Sequence, residues 1–306
     1  KEIYISDDMI QKIQKFDSII FDCDGVLVDI RNSYDYAINK TISAIMNELF
    51  NEKISDVVNS KILYGLKAAG GFNDEVAVVY AVIMTLVASK KSNIEFKKLI
   101  IDVIDNANES GINSIDNYFI NQNIDLKEIK LKLDYENSRK VSYIHKIFNQ
   151  LFYGPTLYEE IFNEKSQFSE KPLIDLDNII LDDNLMSKLK IRFGNKISTV
   201  TGRGNFAFSY SMKNFLDNFN IKNSVFLEDR PLNLAKPNPK SLIESISGIN
   251  SKCSLYIGDS MEDLMMVEKC KEHGYDVSFC GIYGSSDEPE LKYELFQKNK
   301  ASFILE

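Results

Sequence analysis

Residues 18–25 read SIIFDCDG, and this stretch decides the fold of the 306-residue chain. Its first half is a short apolar run of strand type, and its second half places two aspartates and a glycine directly behind that run. Runs of the same type recur at residues 197–200, 224–227, 254–257, 277–280 and 302–305. Helical patterns, such as the one at residues 239–246, separate the later runs. Strands that alternate with helices predict a parallel sheet covered on both faces.

The sequence from residue 33 to residue 172 differs from its flanks, because it has helical periodicity and almost no strand signal. Apolar stripes at helical spacing occur in residues 42–50 and 144–152. Residues 76–88 are apolar except for Thr85, which predicts a buried helix too short to cross a bilayer. The polar residues 106–123 predict a surface connection.

Two domains follow from this organisation, and the length of the chain suits them. Residues 1–32 and 173–306 are predicted to form an α/β domain, a Rossmann-like three-layer core with a parallel sheet. Residues 33–172 are predicted to form an all-α domain, inserted into the core after the first strand.

The composition excludes several classes of protein. A net charge of -9 and the absence of a long Lys/Arg cluster argue against nucleic acid and anionic membranes as partners. The first ten residues lack the apolar core and cleavage site of a secretory signal. The four cysteines form no C-x-x-C pair. We therefore expect a cytoplasmic protein with reduced thiols, as a monomer or homodimer.

The aspartates behind the first strand are the first candidates for chemistry, because parallel sheets bind ligands beyond the carboxyl ends of their strands. The carboxylate of Asp22 could attack phosphorus as a nucleophile. Asp24 could protonate a leaving oxygen and then deprotonate an attacking water. A D-x-D pair alone is equally typical of a solvated turn.

Further polar residues fit the same chemistry. Thr201 and Gly202 end the second strand and could offer a hydroxyl and N–H groups to phosphate oxygens, although such a pair is often only a turn. Lys236 precedes a helix and could neutralise phosphoryl oxygens, although an isolated lysine is usually a surface residue.

Two acidic residues follow the run at residues 254–257. With Asp22 and the carbonyl of Asp24, Asp259 could complete an oxygen-rich Mg²⁺ site as a direct ligand. Asp263 is placed behind it, acting through water or orienting Lys236. The alternative for Asp263 is an acid that favours the dipole at a helix N-terminus.

Taken in order, these motifs resemble the four motifs of the haloacid dehalogenase superfamily. The resemblance covers residues 16–33 and 174–306, and the helical insertion resembles the C1 cap of subfamily I. It implies a Rossmann-like core, Mg²⁺ and an aspartyl-phosphate intermediate. The residues that carry it are Asp22-Cys23-Asp24-Gly25, Thr201-Gly202-Arg203, Lys236-Pro237 and Gly258-Asp259 with Asp263.

The resemblance also implies roles for these residues. Asp22, Asp24, Thr201 and Lys236 would be catalytic, and Asp22, Asp24, Asp259 and Asp263 would form the metal site. The phosphate would be bound by Cys23, Asp24, Thr201, Gly202 and Lys236.

Residues 28–34, 69–74 and 152–155 resemble a phosphatase-like branch of these proteins, in which residues 70–74 would be a loop that helps to choose the substrate. A helix that ends at glycine, followed by an Asn/Asp cap for the next helix, explains residues 70–74 equally well. The candidate substrate contacts are Arg31, Gly71, Phe72, Asn73 and Arg203.

The function that the resemblance implies is a Mg²⁺-dependent phosphatase whose partner is a small phosphorylated metabolite. Asp24 argues against dehalogenation, because dehalogenases of this superfamily have a D-x-Y motif there. Two alternatives stay open. The chain could be a phosphomutase, which returns the phosphoryl group to a sugar, or a non-catalytic protein that binds a phosphorylated metabolite.

Overall fold

A computed structural model describes residues 3–72, 74–135 and 142–306 of the chain. The chain divides into two compact units. The first, here called the α/β unit, consists of Lys1–Ile30 and Asp177–Glu306, and the second, the helical unit, is Arg31–Leu176. None of the described helices combines the length and the apolarity that a membrane crossing requires.

The strands of the described residues all lie in the α/β unit and are numbered along the chain. They are β1 (Tyr4–Ile5), β2 (Ser18–Phe21), β3 (Val28–Asp29), β4 (Asn178–Ile179), β5 (Ile197–Thr201), β6 (Val225–Phe226), β7 (Ser254–Gly258), β8 (Val277–Ile282) and β9 (Phe303–Leu305). Seven of these described strands form one sheet in the order β1-β9-β8-β7-β2-β5-β6, in which β1 is antiparallel to β9 and the other pairs are parallel. The strands β3 and β4 form a separate antiparallel pair.

The helices are also numbered along the chain. Those of the α/β unit are α1 (Asp7–Ile10), α9 (Asp183–Phe193), α10 (Asn205–Ser211), α11 (Lys240–Gly248), α12 (Met261–Glu272) and α13 (Pro289–Lys298). Those of the helical unit are α2 (Tyr34–Phe50), α3 (Ser60–Ala68), α4 (Glu75–Ser92), α5 (Phe96–Asn106), α6 (Ile112–Asn121), α7 (Lys127–Leu133) and α8 (Tyr143–Phe162).

Strand β2 lies in the middle of the sheet and is buried along its whole length. Because side chains alternate along a strand, its residues contribute to both faces of the sheet. Ile20 belongs to an apolar cluster with residues of α11, α12 and α13, including Leu242, Val267 and Phe296. The ring of Phe21 packs against Phe219, 6.3 Å away between centroids. The predicted α/β sheet is confirmed, and all six predicted runs contain strands.

Helix α4 is the centre of the helical unit. Every residue from Val76 to Ala88 is buried, and α2, α5, α6, α7 and α8 all contact this helix. The side chain of Asp74 accepts a hydrogen bond from the backbone N–H of Val76 and caps the N-terminus of the helix. At the other end, Asn93 follows Ser92 in the left-handed conformation and caps the C-terminus. The buried helix predicted at residues 76–88 is confirmed.

The surface connection predicted at residues 106–123 is wrong in its second half. Helix α6 occupies Ile112–Asn121, and its residues Ile115 and Phe119 are buried one turn apart. The asparagines and serines of this segment lower its mean hydropathy, but Ile115 and Phe119 share one face of the helix, which packs against α4 and α5. The short strands β1, β3 and β4 were also missed, because a two-residue strand depends on its partner for its conformation.

Candidate active site

The turn after β2 positions the two candidate aspartates. The backbone N–H of Asp22 donates to the carbonyl of Ile257 on β7, so Asp22 still belongs to the sheet. The chain then reverses, because the N–H groups of Val26, Leu27 and Val28 all donate to the carbonyl of Cys23. The N–H of Cys23 also donates to Asp22 Oδ1, at 2.7 Å. Asp22 is buried and its carboxylate is held in one orientation.

Gly25 is required by this turn for two reasons. Its φ of +72° is a backbone conformation that L side chains rarely adopt. A Cβ at this position would lie 2.3 Å from Oδ2 of Asp259, which directly follows β7. The absence of a side chain therefore lets the carboxylate of Asp259 approach the turn that carries Asp22 and Asp24.

Lys236 joins the cluster from the segment before α11. Its Nζ lies 2.7 Å from Oδ2 of Asp22 and 2.7 Å from Oδ1 of Asp263. All three side chains are buried, so solvent screens these charges weakly. The ammonium of Lys236 is therefore the shared counter-ion of Asp22 and Asp263.

Asp263 has a structural task of its own. Its Oδ2 accepts hydrogen bonds from the N–H and the hydroxyl of Ser260, in a capping box that begins α12. Its Oδ1 lies 2.9 Å from the hydroxyl of Tyr256 and contacts Lys236. Asp263 therefore orients both Lys236 and the first turn of α12.

The pKa values in the cluster follow from burial and from these contacts. Burial raises the pKa of Asp22 to about 8, and the ammonium of Lys236 opposes this rise. Burial alone would lower the pKa of Lys236, but Asp22 and Asp263 raise it above its usual range. The pKa of Asp263 is lowered, because Lys236 and its other hydrogen-bond donors outweigh burial. At Asp22, burial and the neighbouring carboxylates thus outweigh the single ammonium of Lys236.

The carboxylates fit a hard divalent cation. Asp22, Asp259 and Asp263 each offer an oxygen, and these oxygens lie within 4.8 Å of one another. Oxygen-only donor sets suit Mg²⁺. The predicted contribution of the Asp24 carbonyl to such a site stays a prediction. A cation held there would supply the charge that Asp22 needs.

Thr201 and Gly202 lie at the same edge of the sheet. The register pairs Phe21 with Thr199, so Thr201 ends β5 beside the turn that follows β2. Thr201 is buried, and its hydroxyl accepts a hydrogen bond from the N–H of Arg203. The sheet thus brings Thr201 to the end that carries Asp22.

Arg203 is buried against two aspartates. We predicted a substrate contact, but the residue is only 1% exposed. Its Nε lies 2.5 Å from Oδ1 of Asp24, and its Nη1 donates to Oδ2 of Asp177 and to the hydroxyl of Ser211. The guanidinium therefore holds the carboxylate of Asp24, and a contact of Arg203 with the substrate stays a prediction.

The other candidate substrate contacts belong to the helical unit. Arg31 is exposed at its beginning, and Phe72 is fully buried. A Cβ at Gly71 would lie 2.6 Å from the carbonyl oxygen of Asn108, so the glycine allows a close backbone approach. Asn73 lies outside the described residues. A role of these four residues in substrate choice stays a prediction.

Two residues that contact the site were not predicted from the sequence. Lys292 on α13 lies with its Nζ 2.6 Å from Oδ2 of Asp259. The hydroxyl of Ser285, between β8 and α13, donates to the carbonyl of Gly25. Both residues follow β8, and the rule that placed the aspartates at the carboxyl ends of parallel strands also applies to that segment.

The fold is shared with known proteins. A phosphatase from Thermococcus thioreducens is 22% identical, with 90% of this chain and 98% of that chain covered and a TM-score of 0.58. Two weaker likenesses are to haloacid dehalogenase-like proteins. One, of unknown function, is from Agrobacterium tumefaciens (13% identity, 95% and 93% coverage, TM-score 0.46), and the other, a hydrolase, is from Bacteroides fragilis (15%, 91% and 92%, 0.48).

A scan against protein-family models finds no match, and a search of curated proteins finds none either. The likeness to the Thermococcus phosphatase, over nearly the whole of both chains, is a likeness of fold. Together with the parallel sheet, it confirms the predicted Rossmann-like α/β fold.

Proposed function

We propose that this chain is a Mg²⁺-dependent phosphatase that hydrolyses a small phosphomonoester through an aspartyl-phosphate on Asp22. The observation that carries the proposal is the position of Lys236 Nζ, 2.7 Å from both Asp22 and Asp263. A buried ammonium shared by two carboxylates is costly to desolvate, and such clusters are typical of reactive sites. The cluster also lies where α/β sheets bind ligands.

In the first step, a carboxylate oxygen of Asp22 attacks phosphorus. A bond forms between that oxygen and phosphorus, and the bond from phosphorus to the leaving oxygen breaks. Asp24 gives its carboxyl proton to the leaving oxygen, so the product departs as an alcohol. Lys236 neutralises the phosphoryl oxygens, while Thr201 and Gly202 donate hydrogen bonds to them.

In the second step, water attacks the phosphorus of the aspartyl-phosphate. Asp24, now a carboxylate, takes a proton from this water, and the bond between phosphorus and Asp22 breaks. Inorganic phosphate leaves, and Asp22 is a carboxylate again. Arg203 contacts the side chain of Asp24 and so keeps its carboxyl group in the same position in both steps.

The residues that would hold Mg²⁺ are Asp22, Asp259 and the carbonyl of Asp24. When bound, the ion would neutralise charge on the phosphoryl group and lower the pKa of Asp22.

The test is phosphate release from a panel of phosphomonoesters, including sugar phosphates, phosphoglycolate, nucleotides and amino-alcohol phosphates, with Mg²⁺ or with a chelator. We expect steady release that requires Mg²⁺, and we expect Asp22→Asn to abolish it because an amide is not a nucleophile. Mass spectrometry of the acid-quenched enzyme should find a phosphoryl group on Asp22.

The matched control is Asp17→Asn, at the other end of β2, which should keep full activity. Retained activity in Asp22→Asn would exclude Asp22 as the nucleophile. Isomerisation of a sugar phosphate without phosphate release would indicate the phosphomutase instead. Binding of one phosphomonoester without any turnover would indicate a non-catalytic binding protein.

A further inference from the structure

We propose that Lys292 is a resident cation of the candidate metal site, which competes with Mg²⁺ for Asp259 and so limits how tightly this chain binds metal. The inference rests on the proposed function, because it takes Asp259 as a ligand of the metal. It concerns a residue that no motif of the sequence analysis contains.

The contact between Lys292 and Asp259 is close and largely shielded. Nζ of Lys292 lies 2.6 Å from Oδ2 of Asp259, and the two side chains are only 13% and 21% exposed. An ion pair in such surroundings is screened less than a surface pair. The ammonium is therefore a strong local charge on one of the oxygens of the candidate ligand.

Helix α13 fixes the direction of Lys292. Phe296 lies one turn further along and is fully buried, so Lys292 shares the face of the helix that packs on the sheet. Gly281 on β8 allows this packing, because a Cβ there would lie 2.6 Å from Cδ2 of Phe296. The packing of Phe296 thus places Lys292 at the carboxyl end of the sheet.

The stability of α13 does not explain this lysine. Lys292 is the fourth residue of a helix that begins at Pro289. Near a helix N-terminus the macrodipole disfavours a cation and favours an anion. Its position is explained by Asp259, which needs a counter-charge.

Each aspartate of the candidate site already has a positively charged side chain beside it. Lys236 contacts Asp22 and Asp263, and Arg203 contacts Asp24. Lys292 supplies a positive charge to Asp259. When a divalent cation takes an oxygen of Asp259, the ammonium of Lys292 is left beside a like charge, which weakens metal binding. Removing that ammonium should therefore strengthen metal binding.

The experiment measures metal binding directly, on the full, metal-free chain. Isothermal titration calorimetry with Mg²⁺, and electron paramagnetic resonance with Mn²⁺, would give the dissociation constants of the wild type and of Lys292→Met. We expect Lys292→Met to bind either ion about tenfold more tightly or better, because a neighbouring positive charge is lost. Lys292→Arg should stay close to the wild type, because it keeps the charge.

The matched control is Lys298→Met, which removes a positive charge from the last turn of the same helix and should leave metal affinity unchanged. A second readout is the melting temperature in a chelator. Lys292→Met should melt lower than the wild type there, because Asp259 has lost its counter-charge, and Mg²⁺ should raise its melting temperature more. If Lys292→Met does not fold, Lys292→Gln replaces it in both measurements.

Equal affinities in the wild type and Lys292→Met would overturn the inference. Weaker binding by Lys292→Met would also overturn it, because Lys292 would then position Asp259 for the metal. In both cases the proposed function survives if phosphate release still requires Mg²⁺ and Asp22. Absence of metal binding in both proteins would contradict the metal site itself, and the inference with it.

Discussion

The two ends of β2 each carry an aspartate paired with a lysine. At the amino end, Asp17 lies 2.8 Å from Lys196, and the side chains are 32% and 33% exposed. At the carboxyl end, Asp22 lies 2.7 Å from Lys236, and the side chains are only 4% and 2% exposed. The two distances are nearly the same, but the pair at the carboxyl end is more deeply buried, and its lysine also contacts Asp263.

The pKa values of the two aspartates are shifted in opposite directions. Burial tends to raise the pKa of Asp17, but hydrogen bonds from Lys196, Ser251 and the backbone N–H groups of Cys253 and Lys252 outweigh it and lower the pKa to about 2. At Asp22 burial prevails, and the pKa rises to about 8. The amino end therefore stabilises the folded chain, whereas the carboxyl end holds a carboxylate at a cost in stability, as expected of a reactive site.

The largest expected effect comes from removing the lysine at each end. Lys236→Met should lower the phosphatase activity about 10²–10³-fold, the range found when one charge-stabilising donor is removed from an active site. It should also lower the free energy of unfolding by about 3–5 kcal/mol, because two buried carboxylates lose their counter-ion. Phosphate release and denaturant unfolding measure the two effects.

The matched variant at the other end is Lys196→Met. Its partner is solvated, so we expect a loss of about 0–1 kcal/mol and unchanged activity. Equal losses of stability in Lys196→Met and Lys236→Met would refute the idea that burial separates the two ends.

The second prediction concerns the turn that follows β2. Gly25→Ala should lower activity by about 10²-fold, because the new Cβ would displace Asp259, and small misplacements of catalytic groups are costly. The control is Gly274→Ala, where φ is +85° but nothing lies within 4 Å of the new Cβ. That variant should lose only about 1 kcal/mol of stability through backbone strain and keep its activity. Activity that falls equally in both variants would point to strain alone.

The smallest effect is expected from Asp17→Asn. Since the folded pKa of Asp17 is about 2 and the unfolded value is 3.8, its ionised form stabilises the fold above pH 3.8, and this contribution is lost as the pH falls through 2. Asp17→Asn should therefore cost about 1–2 kcal/mol at pH 7 and progressively less in acid. Urea unfolding at pH 7 and in acid measures this. A cost that does not depend on pH would show that packing, and not charge, explains the loss.

Much of the fold was predictable, because the strands of the central sheet are continuous apolar runs. Strand β2 follows directly from residues 18–21, and the buried helix α4 from residues 76–88. Strands β3 and β4 were not predictable, because their two-residue conformations depend on pairing between segments far apart in sequence. Helix α6 was missed because polar residues surround its few buried ones.

The candidate site was also predictable only in part. Asp22, Lys236, Asp259 and Asp263 follow from motifs whose spacing relative to strands is visible in the sequence, and the fold brings them together. The contacts of Arg203 with Asp24 and Asp177 could not be foreseen, because they depend on how segments distant in sequence pack together. Lys292 was missed because its contact with Asp259 depends on how α13 packs, and a lysine in a helix is usually exposed.

The apolar character of helix α4 matters while the chain is being synthesised on the ribosome. The helix has no polar face from Val76 to Ala88. One of the helices that cover it is α8, which ends at Phe162. The ribosome releases α4 before α8, so the nascent chain displays a strongly apolar segment until its last neighbour emerges. Residues 76–88 are therefore the stretch through which a stalled or truncated chain would aggregate or recruit a chaperone.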